Sequence, residues 1–123
     1  MPIDQLQHVN IRCADVEAAK NFYARVLDLK VGPRPPFQSV GYWMYLGEHP
    51  IVHLVQRPAG ETPVSGPGNL DHVGFGGVDL EGTRAQLTAE GIPFREQIVP
   101  RDGSVQIFIV DPDGIKVELN FNT

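Results

Sequence analysis

The sequence predicts an α+β protein built from two βαβββ modules. Three observations carry the prediction: an opening segment that recurs, a hydrophobic period that changes from strand-like to helical and back within each copy, and matching turn formers near the end of each copy. Leu6-Gln7-His8-Val9-Asn10-Ile11 is echoed by Leu70-Asp71-His72-Val73-Gly74-Phe75. At the same offset Asp15 matches Asp79, Val16 matches Leu80, Glu17 matches Glu81 and Lys20 matches Arg84.

In the first copy residues 6 to 13 alternate, which places His8 and Asn10 on one face of a strand and Val9 and Ile11 on the other. Asp15 then caps a helix, and Glu17 in its first turn complements the helix dipole. Val16, Ala19, Phe22, Tyr23, Val26 and Leu27 recur at helical spacing and predict one buried face. Three short apolar runs follow: Leu29 to Val31, Val40 to Leu46 and Ile51 to Gln56. In the second copy Asp79 caps a helix running from Leu80 through Leu87, with weaker periodicity, and Gly91 stands where a left-handed cap belongs. Its later strands are expected at Phe94 to Ile98, Val105 to Val110 and Lys116 to Phe121. Gly47-Glu48-His49-Pro50 and Asp111-Pro112-Asp113-Gly114 predict the turn of a closing hairpin in each copy.

The chain therefore reads as one domain of two modules, about 1–57 and 70–123, joined by a linker rich in Pro and Gly over 57–69. Residues 30–41 and 95–104 are expected to supply loops that border a site, with part of each in strand.

Fifteen acidic against ten basic residues give a net charge of −5, a field that repels nucleic acid and anionic membrane surfaces. Cys13 is the only cysteine, which excludes an internal disulfide or a multi-cysteine zinc site and suits a reducing cytoplasm. The start of the chain has neither a basic segment nor an apolar run, and no stretch reaches the roughly eighteen apolar residues a membrane helix needs. A soluble, cytoplasmic protein is expected.

Aligning the last strand of each copy pairs Ile51-Val52-His53-Leu54 with Lys116-Val117-Glu118-Leu119. Each copy thus offers one donor on its first strand and one on its last: His8 with His53, and His72 with Glu118. Any one of them alone reads as an ordinary structural or solvated residue; the matched placement of all four points to metal ligands. Imidazole binds borderline divalent ions, and a single carboxylate lowers the site charge while keeping the coordination sphere open, so nickel, cobalt, zinc, manganese and ferrous iron all suit the set. His49 lies in the turn before Pro50, outside the repeat pattern, and is expected to be exposed. Arg12, Arg101, Tyr42, Trp43 and Tyr45 are candidates for a pocket wall, although an aromatic-rich strand also suits a core or a dimer interface.

In the two openings quoted above, and in the closing run Phe108-Ile109-Val110-Asp111-Pro112-Asp113-Gly114-Ile115-Lys116-Val117-Glu118-Leu119, the chain resembles the vicinal oxygen chelate superfamily. That superfamily includes glyoxalase I, methylmalonyl-CoA epimerase, fosfomycin-resistance thiol transferases, extradiol dioxygenases and bleomycin-resistance proteins. The resemblance implies a glyoxalase-like fold with a cupped mixed sheet, a homodimer, and a divalent metal that chelates two neighbouring oxygens of a small-molecule substrate. It implies lyase or isomerase chemistry on a small oxygen-rich metabolite, with a metal-polarised carbonyl or enediolate and with Glu118 as the catalytic residue, Glu118 or metal-bound hydroxide being the candidate proton acceptor. Two alternatives are carried with it: a single-domain extradiol-type dioxygenase and a non-catalytic drug-binding resistance protein. His53 stands where glyoxalase I and the epimerase tend to carry glutamate or glutamine, and Phe108 stands where the dioxygenase motif expects tyrosine.

Overall fold

In a computed structural model of the chain the described residues are 2, 4–61, 70–100 and 102–122. Residues 62–69 of the expected linker, and Arg101 of the expected pocket wall, lie outside them. The chain divides into two compact units, Met1–Pro63 and Val64–Thr123, each with four strands and one helix.

The first unit runs β1 (Val9–Cys13), α1 (Val16–Arg25), β2 (Lys30–Gly32), β3 (Gly41–Leu46) and β4 (His49–Gln56). Its sheet has the order β1-β4-β3-β2, with β1 and β4 parallel and the other pairs antiparallel. Alternation sends Ile11, Cys13, Met44, Val52 and Leu54 into the core. Asp15 caps α1 by accepting the N–H groups of Glu17 and Ala18 at 3.1 and 3.2 Å, and the helix buries Val16, Ala19 and Tyr23. Phe22, Val26 and Leu27, expected on the same face, are only half-buried. The helix ends at Arg25, and Asp28, at φ 58°, turns the chain so that Leu29 takes the next core position.

The second unit runs β5 (His72–Gly76), α2 (Leu80–Ala89), β6 (Arg95–Ile98), β7 (Val105–Val110) and β8 (Lys116–Phe121), with the matching order β5-β8-β7-β6. Val105, Ile107, Ile109, Val117, Leu119 and Phe121 face its core. The weaker helical period has a physical counterpart: among the described residues α2 buries only Leu87. Gly91 takes φ +69° just past the helix, the left-handed cap that its position predicts.

Two strand boundaries differ from expectation by more than one residue. β1 begins at Val9 rather than Leu6, because its ladder with β4 begins at the Val9–Val52 pair, and Leu6 is exposed. The first hairpin is tighter than predicted: Leu46 pairs with His49, so His49 and Pro50 belong to β4 and only Gly47 and Glu48 make the turn. The second turn is held by buried Asp111, whose Oδ1 accepts the N–H groups of Asp113 and Ile115 at 2.8 and 2.9 Å. Among the described residues no helix is long and apolar enough to cross a membrane.

Candidate functional site

In each unit one face of the sheet is the core and the other carries the polar side chains that the repeat singled out. In the second unit this face is laid out in rows by the strand register. Lys116 is paired with His72, Glu118 with Gly74 and Phe108, and Asn120 with Gly76 and Gln106.

His72 Nδ1 lies 2.8 Å from Asp71 Oδ2, and Lys116 Nζ lies 3.1 Å from the same oxygen. The hydrogen bond from His72, then that from Lys116, holds the Asp71 carboxyl below the usual carboxylate range. An anionic acceptor at Nδ1 favours the tautomer with its proton there, leaving Nε2 as a free lone pair. Nε2 lies 3.6 Å from Glu118 Oε1, too far for a hydrogen bond. Two ligands at about 2.1 Å from a tetrahedral zinc stand roughly 3.4 Å apart, so this gap fits a shared cation. Gly74 makes room for the arrangement: a Cβ there would lie 3.1 Å from Glu118 Oε2.

The other carboxylate oxygen is held by a chain of amides that sequence reasoning missed. Gln97 donates to Gln106 at 2.8 Å, Gln106 to Asn120 at 3.0 Å, and Asn120 to Glu118 Oε2 at 2.9 Å. Gln97 pairs with Gln106 and Gln106 with Asn120 across the strands, so register alone aligns the row. The only sequence signal was polar residues alternating with apolar ones, which any half-exposed strand shows. Replacing Gln106 by Leu should strip partners from both neighbouring amides and cost about 1–2 kcal/mol, measurable as a lower urea midpoint at unchanged m-value. An unchanged midpoint would mean that water serves the two amides equally well.

In the first unit His8 repeats the His72 pattern. Its Nδ1 lies 3.1 Å from Gln7 Oε1, again the preceding residue, and this also leaves Nε2 open. His53 is placed differently. Its Nε2 lies 3.0 Å from the Pro50 carbonyl, an acceptor that assigns the proton to Nε2 and the lone pair to Nδ1. The ring is sandwiched between His8, at 3.9 Å and 10°, and Trp43, at 4.0 Å and 12°. A metal lies in the plane of the imidazole that binds it. Rings stacked in nearly parallel planes therefore share no ion until exposed His8 turns out of the stack. Among the described residues no three His, Cys, Asp or Glu side chains are grouped so as to hold a metal as they stand.

Burial, and then the charge of His8, hold the His53 pKa below its ordinary value; Arg34 acts in the same direction, against the Pro50 hydrogen bond. A histidine that resists protonation in the fold contributes stability that is complete above the unfolded pKa of about 6.5 and declines as pH falls below it. The metal-free protein should therefore lose thermal stability between pH 7 and pH 5 more steeply than His53→Gln; parallel curves for the two proteins would contradict this.

Of the expected pocket wall, Trp43 takes part. Tyr42 lies on the opposite face of the sheet and donates to the Glu17 carboxylate. The Tyr45 hydroxyl donates to the Pro33 carbonyl at 2.5 Å, and Arg12 pairs with Glu61. His49 is exposed, as expected.

The model of the Glyoxalase/Bleomycin resistance protein/Dioxygenase superfamily matches residues 5–119 of this chain. The chain belongs to this superfamily. A protein from Arabidopsis thaliana named Glyoxylase I 4 is 28% identical over 125 residues, covering 95% of this chain and 70% of the relative. Among solved structures, a glyoxylase/bleomycin resistance protein/dioxygenase domain from Frankia sp. EAN1pec superposes with a TM-score of 0.80 at 22% identity, covering 98% of this chain and 93% of that one. Lactoylglutathione lyase from Agrobacterium tumefaciens gives a TM-score of 0.72 at 22% identity, covering 98% and 96%. At these identities the structural matches speak for the fold: two four-stranded mixed sheets, each with a helix, as superfamily members have.

Proposed function

We propose that this superfamily member is a divalent-metal-dependent, glyoxalase-like lyase or isomerase acting on a small oxygen-rich metabolite, with His8, His53, His72 and Glu118 serving one cation. The observation that carries the reading is the matched preparation of two histidines. His8 and His72 each engage the preceding side chain through Nδ1 and keep Nε2 free, and the Glu118 carboxylate stands 3.6 Å from one of those free nitrogens. Three nitrogens and a carboxylate suit nickel, cobalt, zinc, manganese or ferrous iron. When bound, such an ion supplies Lewis acidity that polarises a substrate carbonyl or enediolate oxygen. Glu118 takes the proton from the adjacent carbon through its carboxylate, which Asn120 keeps from rotating away by holding Oε2. The lactoylglutathione lyase among the structural relatives bears a name consistent with chemistry of this class. A small-molecule substrate, a homodimer and a cytoplasmic location belong to the same reading.

A second reading has its own observation. The exposed His8 ring, at the end of the His8–His53–Trp43 stack, offers a flat aromatic face, which suits a binder of planar drugs with no catalytic metal. Elemental analysis of protein purified without added metal separates the two. The enzyme reading expects stoichiometric metal, or its uptake on titration with nickel, cobalt, zinc, manganese and ferrous iron; failure with all five would leave the binder. Oxygen consumption by the iron-loaded protein with catechols would replace lyase or isomerase chemistry by ring cleavage.

A further inference from the structure

A cleft of about 390 Å³ opens on the first unit, and its lining includes the three stacked rings together with Arg34 and Phe37. Arg34 is unlike the arginines that already have carboxylate partners. Arg12 and Arg57 both pair with Glu61, and Arg84 with Glu81 and Glu96. Among the described residues Arg34 has no acidic partner, and those lining the cleft include neither Asp nor Glu. In a chain of net charge −5 this is an uncompensated cation in a concave wall.

The guanidinium is also held in place. Its two Nη atoms donate to the Ser39 carbonyl at 3.0 Å and to Ser39 Oγ at 2.9 Å, and the Phe37 ring centre lies 5.1 Å from its Cζ. Behind it stands Gly41, where a Cβ would come within 2.9 Å of Nη2; the close seat depends on glycine. Arg34 Nε is buried and has no hydrogen-bond partner. An unpaired buried donor in a preorganised fork is a costly arrangement unless an acceptor arrives, and the planar fork matches a carboxylate. Phe37, whose ring lies against the guanidinium, is 56% exposed.

We propose that Arg34, held by Ser39 and backed by Gly41, is a carboxylate-recognition site, and that the body of the ligand is a flat group packed against the Trp43–His53–His8 rings that line the same cleft. This names the substrate class for the reaction proposed above and rests on that reading for the chemistry, though not for the binding.

Trp43 is the only tryptophan in the chain, so its fluorescence reports on the cleft directly. Metal-free protein is titrated with benzoate, with the neutral isostere benzamide, with the non-planar cyclohexanecarboxylate and with phenyl phosphate. Benzoate is expected to bind at least tenfold more tightly than benzamide and more tightly than the other two. Arg34→Gln should abolish the gap between benzoate and benzamide, and Arg34→Lys should restore part of it. His72→Ala should leave it intact, which separates this site from the metal reading. Equal binding of benzoate and benzamide, or an undiminished gap in Arg34→Gln, would overturn the proposal, and tighter phenyl phosphate binding would overturn its choice of a carboxylate. The wild-type comparison decides the matter even if Arg34→Gln does not fold. Carboxylate binding by a protein that takes up no metal would retain this inference and remove the preceding one.

Discussion

Affinity for nickel or zinc is expected to fall at least roughly hundredfold in His72→Ala and in Glu118→Gln, more than from any change around them. His72 loses the nitrogen that Asp71 prepares, and Glu118 loses the negative charge that offsets the cation. Asp71→Asn retains both ligands but gives up the anionic acceptor at Nδ1, so a loss of about ten- to hundredfold belongs to it. Calorimetric titration of metal-free protein measures all three. The same ranking should appear in the stabilisation of the fold. At a thousandfold excess over Kd a ligand adds about 4 kcal/mol, and the melting temperature of the wild type should rise accordingly, while at the same concentration a hundredfold weaker variant, His72→Ala or Glu118→Gln, gains only about 1.4 kcal/mol. Wild-type affinity in both of those variants would leave the second unit's donor pair without a metal role.

Gly41→Ala should be the most damaging single-methyl change in the first unit. A Cβ at this position would lie 2.3 Å from the Leu54 carbonyl oxygen, which is backbone of the central strand β4 and cannot step aside as a side chain can. It would also crowd Arg34 Nη2. Relief requires β3 and β4 to separate near the Gly41–Val55 pair, and a cost of about 3 kcal/mol follows from overpacking of this kind. Chemical denaturation measures it. Because the strain reaches Arg34, benzoate quenching of Trp43 should weaken in any Gly41→Ala protein that remains folded. A variant as stable as the wild type would mean that the two strands part at little cost.

The duplicated architecture was legible in the sequence because it rests on short-range regularities. Strand alternation places His8 with Asn10 and separates Trp43 from Tyr42, and capping residues Asp15 and Asp79 mark where the helices begin. Those regularities are set by local backbone geometry, which repeats whenever the residues do. The direction in which a side chain leans was not legible. His53 and Glu118 occupy matching places in the repeat, yet one is clasped between two aromatic rings and the other is held over a glycine by a row of amides.

What the sequence by itself determined is therefore the order of the elements and the face of the sheet on which each candidate donor lies. The tertiary structure alone decided the partners: Asp71 behind His72, Asn120 behind Glu118, and Ser39 and Gly41 around Arg34. These partners are close in sequence, but the direction in which their side chains turn is set by the neighbouring strands. Asn120 connects through Gln106 to Gln97 only when β6, β7 and β8 lie in register, and Arg34 meets Gly41 because β2 pairs antiparallel with β3 as far as Gly32 and Trp43, two residues short of both.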